Sequence, residues 1–477
     1  MIAAVCVVVA LTSCGKAGDR GPGSGVREGQ RPILVRGGTV WGEDGGRRAD
    51  VRVVGERIAE IGELTPRPGE CVIDAAGLDV LPGMIDVHVH VADRIGRFEL
   101  ADDWASAAEI ALRNGVTTLA GFATQRPGET LTQAVERCHA RAAGRSRCDF
   151  AFHLTPTSWP WDWDGLAALA ARGFKTVKLY TTYREAGLYT DAEQLAAVMP
   201  RLAALGMRLL LHCEDDATLA AIDPSSVDLA DPRSHARLRP EAAEVRAIET
   251  AIDLAERSGC PTHVVHVSTA AGVEAIAAAR ERGVAVTCET APHYLALDQE
   301  ALRPPEGHRY LCTPPLRVAA TRDRLAALAA AGAVDLFATD HCAFTRRDKD
   351  DWRGDLRAVP CGIAGLGALV PLGFELLVKR HALALSELVR TLSANPARLL
   401  GAFPRKGAIA VGADADLVIL ERAGPPRPIV STLADAYETY PGRTTTLAVR
   451  RVIRRGRIVV EDGVTLDAPQ AGAFAVA

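Results

Sequence analysis

The chain is poor in aromatic residues, at 5% of 477 positions, and rich in alanine. Ala-rich helices are therefore expected. Its 11 cysteines form no Cys-x-x-Cys pair and no repeating spacing. A disulfide framework is not expected in so large a chain, and most of these thiols are read as reduced and buried. No long run of like charge is present, and 55 basic residues balance 59 acidic ones to a net charge of −4. Nothing here carries a nucleic-acid signature. Met1 to Leu11 is wholly apolar, but such a run is too short to span a bilayer as a mature helix.

The N-terminus is set apart from the fold. Leu11-Thr12-Ser13-Cys14-Gly15 resembles a lipoprotein cleavage site, at which Cys14 would be lipidated. Residues 15–31 are rich in Gly, Arg and Lys, as in a flexible tether. A positively charged start is missing. Residues 1–31 are thus expected to be a lipoprotein signal and tether or an apolar tail. Two locations stay open, cytoplasmic or lipid-anchored at the cell envelope.

Residues 32–81 alternate apolar and polar side chains between Gly-containing turns, as in Pro32 to Gly38 and Asp50 to Glu56. Residues 403–470 do the same, as in Asp416 to Leu420, Leu447 to Val449 and Val459-Val460. One small β-sandwich built from both chain ends is expected. Between them, residues 82–402 alternate strand-like and helix-like segments. After a first strand ending near Asp86, candidates are Val116 to Ala120, Phe150 to Thr155, Thr176 to Thr181 and Arg208 to Cys213. Thr262 to Ser268, Val284 to Glu289 and Val334 to Asp340 follow. Helical patterns such as Trp104 to Arg113 and Glu241 to Arg257 lie between them. Gly115, Gly173, Gly206, Gly259, Gly283 and Gly332 each precede a strand, where helix ends belong. Eight βα units predict an α/β fold, a (β/α)8 TIM barrel carrying the β-sandwich.

Five of the strand-like runs end in a side chain able to take part in a metal site: His88 and His90, Lys178, His212, His266, and Asp340. A strand alternates its faces with period two, so His88 and His90 point the same way. In such barrels the chemistry lies at the C-terminal ends of the strands. Four imidazoles, a lysine and a carboxylate then converge on one point, which suits a binuclear metal hydrolase. One histidine in a strand is ordinarily a satisfied core residue; four at strand ends of one barrel rim are not explained that way. Imidazole and carboxylate suit divalent ions, zinc first among them. An ammonium does not ligate a metal. Lys178 would have to react with carbon dioxide, its carbamate then bridging two ions. The bland alternatives are a Lys178 ion pair and a helix N-cap role for Asp340.

The ordered motifs go further. They are Leu81 to His90, Val177 to Tyr183, His212-Cys213-Glu214, His266-Val267-Ser268 and Thr290 to Leu295. Thr313 to Arg317, Ala338 to Cys342, Gly362 to Gly365 and Asn395 to Arg398 follow. From residue 32 to 465 the chain resembles the cyclic amidohydrolases: dihydropyrimidinase or hydantoinase, dihydroorotase and allantoinase. The resemblance implies that His88, His90 and Asp340 hold one ion, that His212 and His266 hold another, and that carboxylated Lys178 bridges them. It implies that Asp340 moves the proton during opening of a small cyclic amide. Tyr183 matches an oxyanion-stabilising tyrosine, and Thr313 a ring-contacting serine. Cys361 stands where hydantoinases place a ring-binding asparagine. His293 and His341 would line the pocket or brace neighbours, and Glu214 would support His212. His139, His153, His235, His263, His308 and His381 belong to no motif and are read as structural. Relatives form dimers and tetramers, implying a homo-oligomer.

The pattern departs from dihydroorotase at Ala92, where that enzyme has a carboxylate-binding arginine, and at Thr313, where it has asparagine. Gly362 to Leu366 looks more like allantoinase or dihydroorotase. A hydantoin or dihydropyrimidine-like ring is the expected substrate. The alternatives are dihydroorotase or allantoinase activity, another amide hydrolase, or a non-catalytic assembly protein.

Overall fold

The computed structural model describes residues 31–467 and 471–475. The segment bearing Cys14, with its expected lipid anchor, lies outside the described residues. Eight parallel strands form one sheet in sequential order. They are β1 (Met84–Asp86), β2 (Val116–Thr124), β3 (Asp149–Thr155), β4 (Thr176–Tyr180), β5 (Arg208–His212), β6 (Thr262–Val264), β7 (Val286–Thr290) and β8 (Leu336–Phe337). Closure comes beyond the ends of β8 and β1. There His341 pairs with Val89 and Cys342 with His90, in parallel. Asp86, fully buried, reinforces the seam by accepting from the Thr339 N–H and hydroxyl and from the His88 N–H. The expected (β/α)8 barrel is the architecture observed.

The pattern that makes the strands also sorts their faces. Ile85, Ala120, Ala151, Leu210 and Leu336 pack together inside the barrel. Side chains two residues further on point the same way, towards the rim. Helices such as Trp104–Arg113 and Glu241–Ser258 cover the outside with buried alanine, leucine and isoleucine. The six glycines before strands all have positive φ, from 64° at Gly206 to 98° at Gly173, as helix ends of the left-handed type require.

Two predicted strands run shorter than the sequence suggests. The expected Thr262 to Ser268 stops at Val264, and Val334 to Asp340 shrinks to Leu336–Phe337. His266 and Asp340 instead adopt left-handed backbone, φ 38° and 48°. Their chain leaves the ladder so that the side chains turn into the barrel mouth, a strain typical of functional positions.

Strands from both chain ends build the sandwich. Asp79–Pro82 pairs with Leu417–Glu421 inside a seven-stranded sheet, and a four-stranded sheet runs from Arg57–Gly62 through Asp50–Val54 and Ile33–Arg36 to Cys71–Asp74. Valine and isoleucine from the two sheets form its core. Residues 403–470 are not all sandwich, however. Around residues 431–443 the chain lies on the barrel, where Thr432 donates to Asp102 and Thr439 to the Ala364 carbonyl. The C-terminal Phe474 packs under the barrel among Phe150, Phe152 and Phe174.

Candidate active site

The six expected metal-site residues converge at the C-terminal mouth of the barrel, lining one cavity of about 460 Å³. His88 Nε2 and His90 Nε2 lie 3.2 and 3.4 Å from the same Asp340 oxygen. His212 Nδ1 faces His266 Nε2 at 3.0 Å, and the His88 and His266 rings are 5.3 Å apart. Lys178 enters from β4, buried, with its ammonium over the Tyr180 and Phe122 rings at 4.6 and 5.6 Å.

Carboxylates set the imidazole orientations. His88 Nδ1 is 2.5 Å from Glu289, and His212 Nε2 is 2.8 Å from Glu214. Burial alone would raise both carboxylates, yet His88 and His263 hold Glu289 well below the usual range, and Arg239 and His212 do the same for Glu214. An ionised acceptor holds a ring proton on the nitrogen facing it, so in a neutral ring the other nitrogen, His88 Nε2 or His212 Nδ1, is the one left for a metal. Burial lowers the pKa of His90, His212 and His266, which keeps them neutral as ligands must be. Asp340 is pushed up by burial and pulled further down by His88 and His90, so it is ionised.

This donor set fits divalent ions. His88 Nε2 stands 3.2 Å from an Asp340 oxygen and, among the described residues, has no hydrogen-bond partner; in a neutral ring it faces that oxygen as a second acceptor. Two buried acceptors held face to face are unfavourable unless a cation sits between them. His88, His90 and Asp340 form one compact candidate ligand group. A second such group, Asp149, Asp414 and Asp416, is already neutralised by Lys406, with Arg454 and Arg455 on Asp149.

Lys178 makes no hydrogen bond or ion pair among the described residues. Burial lowers its pKa to about 8, partly opposed by Asp340 and Glu289. That brings the neutral amine, the form that reacts with carbon dioxide, within reach near neutral pH.

The remaining expected residues separate into two groups. Tyr183, Thr313 and Cys361 line the cavity. Tyr183, at φ 70°, packs its ring 5.1 Å from His212, and burial raises its hydroxyl well above 10. His293 does not line the cavity. It is fully buried against Tyr294 with neither ring nitrogen bonded, and burial lowers it to about 4. A substrate contact is corrected to a place behind the wall, because the helix Pro292–Ala296 turns this ring into the core. His341 braces: Nδ1 accepts from the Gly365 and Leu366 N–H groups, and Nε2 donates to Asp102.

Three residues escaped the sequence. Glu289 is an acidic residue inside an apolar strand, a signal that was available. His263, read as structural, braces Glu289 from the neighbouring strand at 3.1 Å. His235, also read as structural, stands at the cavity edge, 3.4 Å from Thr313 Oγ1 and 3.9 Å from Cys361 Sγ. It comes from a helical segment remote in sequence, so no local pattern marked it.

A family model described as the amidohydrolase family matches residues 80–459. A D-hydantoinase of Ralstonia pickettii is 32% identical over 452 residues, covering 93% of this chain and 98% of that one. The crystal structure of dihydropyrimidinase from Brevibacillus agri is similar with TM-score 0.88 and 31% identity, over 93% of this chain and 98% of that one. An L-hydantoinase (dihydropyrimidinase) from Arthrobacter aurescens is similar with TM-score 0.81 and 27% identity, over 92% and 98%.

Proposed function

The chain belongs to the amidohydrolase family, and on that premise we propose that it opens a hydantoin or dihydropyrimidine-like ring. The reaction is metal-dependent hydrolysis of a cyclic amide C–N bond. One observation carries this reading. His88, His90 and Asp340 meet beside the His212–His266 pair in the mouth of a cavity that has room for a small ring.

His88, His90 and Asp340 would hold one ion and His212 and His266 a second, with zinc suited to the set. Lys178 would join them after its neutral amine adds to carbon dioxide: an N–C bond forms and the nitrogen gives up a proton to water. A buried lysine with no hydrogen bond or ion pair among the described residues supports that modification. When bound, such ions supply Lewis acidity towards the ring carbonyl and acidify water.

The side chains do the rest. Asp340 takes the proton of the attacking water and returns it to the departing ring nitrogen as the C–N bond breaks. Tyr183 stays protonated and donates to the carbonyl oxygen as charge gathers on it. Glu289 and Glu214 keep the His88 and His212 rings aimed throughout. Thr313, through its backbone, and Cys361 border the ring. The product is an N-carbamoyl acid.

A homo-oligomer and a lipid anchor at Cys14 are further proposals, open to light scattering and to fractionation of a Cys14→Ala variant. The ring is tested by assaying hydantoin, dihydrouracil, allantoin and dihydroorotate side by side on metal-loaded protein. Turnover of either of the first two is expected. Turnover of the last two alone would overturn the ring assignment, and turnover of none would overturn the activity.

A further inference from the structure

Lys349 is a second buried lysine near the cavity, and nothing in the proposed chemistry uses it. It stands on the short helix Arg346–Asp350 and is 3% exposed. Among the described residues it forms no ion pair. Its ammonium donates to the Leu311 carbonyl at 3.0 Å and to the Pro360 carbonyl at 2.8 Å. Burial pulls its pKa down to about 8. A buried cation without a counter-charge is unfavourable to keep, so its position calls for a reason.

The two carbonyls supply one. Leu311 lies two residues before Thr313, and Pro360 lies one residue before Cys361. Both Thr313 and Cys361 line the cavity, from chain segments about 50 residues apart. The Gly362 N–H also donates to the Leu311 carbonyl at 2.8 Å. His235 adds a third tie by bonding the Cys312 carbonyl at 2.9 Å. Lys349 bonds the main chain of both segments at once, while His235 Nε2 reaches their side chains, 3.4 Å from Thr313 Oγ1 and 3.9 Å from Cys361 Sγ.

We propose that Lys349 is a positioning residue: its ammonium clamps the Thr313 and Cys361 segments at the separation that fits the ring. This rests on the cyclic-amide reading, in which those segments border the substrate. The proposed metal residues lie on other chain segments and, among the described residues, share no hydrogen bond or ion pair with Lys349, so the clamp acts on ring binding rather than on metal loading. A displacement of about 1 Å at such a wall is enough to weaken a reaction many-fold.

The test compares metal-loaded wild type with Lys349→Met and Lys349→Arg on the ring that wild type turns over. Lys349→Met is expected to raise KM at least about ten-fold, with kcat within about three-fold, metal content unchanged, and partial rescue by arginine. Hydrogen exchange should quicken at residues 311–313 and at 361 and 362 and stay the same over the rest of the barrel. Unchanged KM and exchange in a folded variant would overturn the proposal, as would loss of metal and kcat with KM intact. Where Lys349→Met does not fold, Lys349→Gln, which keeps one amide donor, gives the same comparison. If wild type opens no cyclic amide, the functional reading fails, and the exchange result still decides the clamp.

Discussion

Cys361 is half-buried, whereas the seven other free cysteines among the described residues are buried. Burial pushes its thiol up, but His235, Lys349 and Thr313 outweigh that and bring it down to about 6. Above that pH the thiolate dominates, so the group is ready to react at neutral pH, well below the ordinary cysteine range. Iodoacetamide is therefore expected to alkylate Cys361 first, with a rate rising through a midpoint near pH 6 and with protection by a bound ring compound. Peptide mapping after labelling checks this; a midpoint near 9, or preference for another cysteine, would contradict it. The convergence of the proposed metal-site residues was legible at this scale because each ended an apolar run. Their orienting partners were less so: Glu214 follows His212 by two, but Glu289 reaches His88 across the barrel from 201 residues away. His293 misled for the opposite reason. Its motif matched, while the short helix that carries it turns the ring into the core.

At the level of elements, three of the six proposed metal-site residues lie just past the first and last strands, so the seam between those strands controls their geometry. Asp86 ties that seam with three hydrogen bonds to Thr339 and His88. Asp86→Ala would leave two buried N–H groups without acceptors, each costing about 1–3 kcal/mol. The variant is expected to lose about 3 kcal/mol or more of stability and to bind metal poorly, since His88 and Asp340 flank the tie. Asp86→Asn, which keeps an acceptor, should lose less. Denaturant unfolding with metal analysis checks both; an Asp86→Ala protein as stable as wild type would refute the role. Element identity was readable from apolar runs and from the glycines before them. Element length was not, because His266 and Asp340 leave the ladder in left-handed backbone that no residue pattern marks.

Across the molecule, sandwich and barrel are joined by a buried charge network. Lys406 bonds Asp149 of β3 and Asp416 beside the sandwich at 2.6 Å each, and Arg454 and Arg455 also reach Asp149. Burial would raise Asp149, yet Lys406, Arg455 and Arg454 hold it well below the usual carboxylate range. A depressed folded pKa contributes stability above the unfolded value, about 3.9, that is lost as pH falls below it. Acid unfolding should thus set in below about pH 4 and shift upward in Lys406→Met, which also loses about 3–5 kcal/mol at neutral pH by stranding carboxylates. Circular dichroism against pH reads this, and an unchanged acid midpoint would count against it. That both chain ends build one sandwich was legible from their shared alternation. The return of residues 431–443 to the barrel was not, since it rests on single side chains such as Thr432 and Thr439 rather than on a pattern. The central claim is that the converged residues form a binuclear metal centre bridged by modified Lys178. Metal content with intact mass, on native and Lys178→Ala protein, tests it most directly. About two divalent ions per chain and the added mass of one carbon dioxide, both lost with Lys178, are predicted. A native protein without metal, or one whose metal is unaffected by the substitution, would contradict the account.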